Sequence, residues 1–96
     1  MRTAYLVTYD ISDPARLRRV YKVMRRFGDH LQLSVFRCVL SDRELIRMRT
    51  ELSAEMNHNE DQTLIASLGP EDGRGAKAIS GLGRQYTHPE RHAVVI

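Results

Sequence analysis

The dipeptide Asp13-Pro14 constrains this chain more than any other feature near its start. An aspartate at a helix N-cap accepts a hydrogen bond from a first-turn N–H. Proline at the first helical position has its φ preset and no N–H to lose. A helix therefore begins here, and the apolar run in front of it needs a different conformation. In Thr3–Tyr9, Tyr5, Val7 and Tyr9 alternate with Ala4, Leu6 and Thr8. Alternation at period two with both faces largely apolar predicts a strand covered on one side and partly on the other. Asp10 stands where that strand ends. A helix start explains Asp13; it leaves Asp10 as either a simple turn residue or a carboxylate placed for chemistry.

The helix should run from Asp13 to Phe27, stopped by Gly28. Leu17, Val20, Tyr21, Met24 and Phe27 follow the helical rhythm and form the expected buried stripe. Six of the chain's 15 Lys and Arg residues fall on this one helix: Arg16, Arg18, Arg19, Lys22, Arg25 and Arg26. They form either a solvated outer face or a phosphate-binding surface, and the residues alone leave both open. His30–Leu40, HLQLSVFRCVL, predicts two short strands with a bend at Ser34. Ser41 and Glu44 make a capping box that opens a second helix, with Leu45, Met48, Leu52 and Met56 as its stripe. Gln62–Leu68 is the next strand. Gly69–Gly75, GPEDGRG, is a turn that matches no phosphate-loop spacing, and Ala76–Ser80 reads as a further short strand. The apolar end Ala93–Ile96 would fray or aggregate unless it pairs with a sheet.

Ninety-six residues with 42% hydrophobic and 28% charged composition describe one soluble α+β domain, with the core in 1–68 and a loop and tail in 69–96. No run is apolar enough to span a bilayer and no signal-peptide layout is present, so a cytoplasmic protein with no membrane partner is expected. Cys38 lies in an apolar run and reads as inert filler. The four histidines lack metal-ligand spacing, which argues against zinc.

Two helices alternating with short strands predict a ferredoxin-like βαββαβ sandwich, an antiparallel sheet with both helices on one face. The other face then needs cover for Tyr5, Val7 and Tyr9. A homodimer packed sheet against sheet supplies it, with the C-terminal strand completing the dimer. A two-fold axis near the end of the first strand would pair Asp10 with its symmetry mate. Two carboxylates and water suit Mg²⁺ or Mn²⁺ and could activate water against a phosphodiester.

YDISD, Tyr9–Asp13, and QLSVF, Gln32–Phe36, flanking a basic helix and Gly28, resemble the CRISPR-associated Cas-two family. That resemblance implies symmetric ferredoxin-like dimers, metal-dependent endonuclease activity on RNA or double-stranded DNA, and a bridging role in the spacer integrase complex. It implies that Asp10 is the metal ligand shared across the dimer, with Tyr9, Arg16, Arg18, Ser34 and Phe36 around it. The chain departs from the family pattern at His30, usually basic, and at Arg37, usually acidic. It departs again at Leu64 and Ala66, which stand at common Arg and Tyr positions. His30 is thereby a candidate pH-sensitive phosphate contact. Two rival classes remain: an architectural DNA-binding adaptor that needs no catalysis, and a small-molecule regulatory domain that would need no basic helix.

Overall fold

The computed structural model describes residues 1–84. The expected tail strand, Ala93–Ile96, and its crossing to a partner lie outside the described residues. The elements run β1 (Thr3–Asp10), α1 (Pro14–Phe27), β2 (Gly28–Gln32), β3 (Val35–Leu40), α2 (Asp42–Glu55) and β4 (Gln62–Pro70). A single 3-10 turn follows at Arg74–Lys77. The strands form one four-stranded sheet in the order β2-β3-β1-β4, each neighbour antiparallel. This is the ferredoxin-like arrangement, and it puts β1 in the middle, hydrogen-bonded on both sides.

Local chemistry accounts for the element boundaries. Asp13 caps α1 by accepting from Arg16 N, with Pro14 in the first turn. Ser41 and Glu44 form the reciprocal capping box of α2. At the other end of α1, Gly28 is the C-cap, as expected, its N–H donating to Met24 O. Its backbone is extended, and it is already the first residue of β2. A Cβ at this position would meet Cys38 Sγ at 2.5 Å and Arg37 O at 2.6 Å. Glycine is there because β3 passes too close for any side chain.

The core lies between the helices and one sheet face. Tyr5, Val7 and Tyr9 pack there with Val20, Val23, Met24, Phe36, Cys38, Leu40, Met48 and Leu52. Two expectations are corrected here. The tyrosines and Val7 are sheltered by this chain's own helices, so their burial requires no second sheet. The residues on the uncovered face are the alternate ones: Leu6, Thr8 and Asp10 of β1, paired in register with Ala66, Leu64 and Gln62 of β4. The buried stripe of α1 is Val20, Val23 and Met24, whereas Leu17 is 38% exposed and Tyr21 and Phe27 are half-buried. The packing of α2 against α1 turns the helix toward Val23 and away from Leu17.

Ala76–Ser80 is not a strand. Gly73 O accepts from Ala76 N to tighten the turn. Buried Arg37 donates from Nη2 to Gly75 O at 3.0 Å, tying the segment to β3.

Candidate nucleic-acid interface and carboxylate site

Tyr9 and Asp10 end the central strand and, being consecutive, point to opposite faces of the sheet. Asp10 is exposed on the uncovered face, opposite Gln62. Its side chain makes no hydrogen bond or ion pair with any described residue. Its carboxylate is a hard oxygen donor free to bind. Among the described residues no group of three or more His, Cys, Asp or Glu side chains clusters as a metal site. One chain therefore offers one carboxylate.

Tyr9 enters the core on the other face. Its ring stacks on Phe36 at 6.2 Å between centroids, and its N–H donates to Ser34 O at 3.1 Å. Burial, reinforced by nearby Tyr21, raises the Tyr9 pKa, partly offset by a hydrogen bond with the Ser34 side chain. At neutral pH the phenol keeps its proton, so Tyr9 can donate a hydrogen bond but cannot act as a base. Phe36 is fully buried. It forms the centre of an aromatic cluster, with Tyr21 at 5.8 Å and His30 at 4.9 Å. His30 donates from Nε2 to Leu33 O at 2.6 Å, bracing the β2–β3 turn.

The structure divides the basic helix in two. One side faces α2 and the loop after it, and its cations are matched with carboxylates. Arg19 pairs with Glu55 at 2.9 Å, and Arg26 pairs with Glu51. Arg16 donates from Nε to Asp61 Oδ2 at 2.8 Å, and from Nη2 to Glu60, Asp61 and Ser12. On the other side, Arg18 and Lys22 have no carboxylate partner among the described residues. Arg25 lies over Tyr21, its Nη1 donating to the phenol oxygen at 3.0 Å. The cations of α1 with no carboxylate partner among the described residues are thus Arg18, Lys22 and Arg25, which lie along one side of the helix.

Asp61 went unnoticed in the sequence. Its side chain is wholly buried and accepts from Ser12 N, Ser12 Oγ and Asn57 N as well as from Arg16. The Arg16 guanidinium, more than any other neighbour, holds the Asp61 carboxyl far below the usual carboxylate range. This knot fastens the β1–α1 turn to the start of β4, one residue from the Asp10–Gln62 pair. Asn57 and Asp61 bracket a turn, and nothing local announces that a residue at its far end reaches Arg16.

Comparison with known proteins adds to this geometry. The family model "CRISPR associated protein Cas2" matches residues 2–74. The chain belongs to the Cas2 family. Over its full length and that of the relative, it is 40% identical to a Geobacter sulfurreducens protein named "CRISPR-associated endoribonuclease Cas2". A Rhodospirillum rubrum relative of the same description is 39% identical, with 97% of this chain and 90% of the relative covered. The crystal structure of Streptococcus pyogenes Cas2 at pH 6.5 superposes with a TM-score of 0.72 at 29% identity, covering 83% of this chain and 99% of that one. The Cas2 family match spans every element from β1 to β4 and ends at Arg74. Among the described residues no helix is long and apolar enough to cross a membrane.

Proposed function

We propose that this chain is a metal-dependent endonuclease of CRISPR adaptation, acting in the cytoplasm as a homodimer on phosphodiester bonds of DNA or RNA. The observation that carries the reading is Asp10: an exposed, unpartnered carboxylate at the end of a rigid central strand, on the uncovered sheet face. Leu64, 57% exposed on the same face, supports packing of that face against a second copy. Two such copies related by a two-fold axis bring two Asp10 carboxylates together, a donor set that fits hydrated Mg²⁺ or Mn²⁺. Such an ion, when bound, supplies an activated water. The chain's own residues do the rest. Asp10 holds the ion, Arg18, Lys22 and Arg25 grip the backbone phosphates, and the Arg16–Asp61 knot fixes the turn that follows Asp10.

A second reading is an architectural DNA-binding adaptor for integrase subunits. It is favoured by the strip of unmatched cations on α1, which grips a duplex without any cleavage. Asp10→Asn decides between them. Purified wild type and variant are incubated with labelled single-stranded RNA and duplex DNA, with Mg²⁺, Mn²⁺ or chelator. Loss of cleavage with binding retained supports the enzyme. Equal cleavage by both proteins, or none by the wild type, leaves the adaptor.

A further inference from the structure

Between α1 and the β2–β3 turn lies a cleft of about 540 Å³, lined by Tyr9, Leu17, Arg18, Tyr21, Lys22 and Leu33, among others. Its volume is within the range of small-molecule sites. Its walls are mostly apolar and its charges are two cations. Neither leucine is explained by the fold. Leu33 is 86% exposed and has a φ of 37°, the only non-glycine residue with positive φ among those described. A branched side chain in that region is strained, and a turn with no further role would hold Gly or Asn. Leu17 is also exposed, one helical turn before Tyr21. Strain and exposure at Leu33, with Leu17 also lining the cleft, make two apolar walls that the described residues leave uncovered.

The charge pattern points to the occupant. Arg16, Arg19 and Arg26 on the same helix are each matched by a carboxylate, while Arg18 and Lys22, both lining the cleft, are not. A ligand that fits must combine a flat apolar body with an adjacent anion. A nucleotide does so. In a duplex each base is stacked and paired and cannot enter such a cleft, whereas an unpaired base can be splayed out and held by aromatic and apolar side chains.

We propose that this cleft holds one unpaired base of a single-stranded nucleic acid, its flanking phosphates on Arg18 and Lys22. The assignment rests on the nucleic-acid reading above and deepens it to a substrate class. Because Tyr9 and Asp10 are consecutive, the base site and the carboxylate lie at the same end of β1 on opposite faces. A strand whose base sits in the cleft passes its backbone around the strand end toward Asp10.

The test uses Leu33→Asn, which suits the backbone at that position, and Leu17→Gln, which is a surface change. A labelled single-stranded RNA and a duplex DNA of equal length are titrated with each protein in chelator, so that no cleavage intervenes. Both variants should lose roughly 5- to 20-fold in affinity for the single strand and nothing for the duplex, with the salt dependence unchanged. In a second series each base of the RNA is replaced in turn by an abasic unit. The wild type should lose affinity at one phase of the strand, and Leu33→Asn should not. Unchanged single-strand affinity, or an equal loss on the duplex, overturns the base site while leaving duplex binding and the proposed function standing. A wild type that binds neither probe overturns both. Binding of an acidic, phenylalanine-containing peptide that Leu33→Asn abolishes, with RNA binding untouched, reassigns the cleft to a protein partner.

Discussion

Arg16 and Asp61 hold each other across 45 residues of chain, Nε to Oδ2 at 2.8 Å, with the aspartate side chain wholly buried. The pair joins the turn after Asp10 to the start of β4. Arg16 is thereby committed to protein, and its contribution to the carboxylate site is positional. Removing either partner strands the other in a place built for a pair. Arg16→Ala and Asp61→Asn should each lower Tm by roughly 5 °C or more. The double variant should lose less than the sum of the two, because the residues act as one unit. Asp10→Asn, an exposed change, should move Tm little. Thermal melts of the four proteins check all three statements.

Acid should unfold the protein through the same residues. Asp61 is held low first by Arg16, and Asp13 first by the Arg16 backbone N–H. Burial pushes the Glu44 carboxyl up, but hydrogen bonds from Ser41 and Arg2 outweigh it and leave it low. Each folded pKa lies below its unfolded value, so the unfolded chain takes up protons first as pH falls. Stability should be flat above about pH 5 and decline as pH drops through about 4 and below. Urea midpoints from neutral to strongly acidic pH should trace that decline. Asp61→Asn should make it shallower, starting from a lower plateau.

Nucleic-acid affinity should separate the two sides of α1. Each phosphate contact removed should lower the slope of log affinity against log salt by about 0.9 on duplex DNA. Changing Arg18, Lys22 and Arg25 to Ala should reduce the slope by roughly 2 to 3. The corresponding changes at Arg19 and Arg26, whose charges are met by Glu55 and Glu51, should leave it nearly unchanged. Equal effects from both sets would show that those ion pairs open on binding.

Gly28→Ala places a methyl group against Cys38 Sγ and the Arg37 carbonyl. Overpacking of this kind costs about 1–3 kcal/mol. Cys38→Ala in the same chain should restore only part of it, since the carbonyl belongs to the backbone and cannot be trimmed. Denaturant titration of the single and double variants measures the recovered share.

Features set by near neighbours were legible in the sequence. Asp13 with Pro14, and Ser41 with Glu44, cap their helices through contacts three residues away, and the bend at Ser34 follows from a run too long for one strand. Features set by distant partners were not. The helical period cannot say which flank of α1 meets α2, so Val23 was missed and Leu17 overvalued. Nor could the six cations be sorted into matched and unmatched before Glu51, Glu55 and Asp61 were placed against them. Ala76–Ser80 has strand-like residues but no strand to pair with, because Arg37 holds the preceding turn. Leu33 carries no mark of its strained backbone, since leucine is not a residue that favours it.

The alternation of β1 has a consequence for how this chain can vary. Thr3–Asp10 acts as a counter with two settings. Inserting or deleting one residue within it would turn Asp10 inward among the core side chains and Tyr9 outward, exchanging their places. An ionised carboxylate sealed in that core without a partner is too costly to keep, so the wrong setting yields no folded protein. β4 absorbs its own irregularity at the register shift opposite Ala4 and Tyr5, and β1 has no such slack beyond that point. Loops on either side are free to grow, but the length of this strand can change only by twos. The fold thus proofreads the placement of Asp10 even where nothing selects for the chemistry.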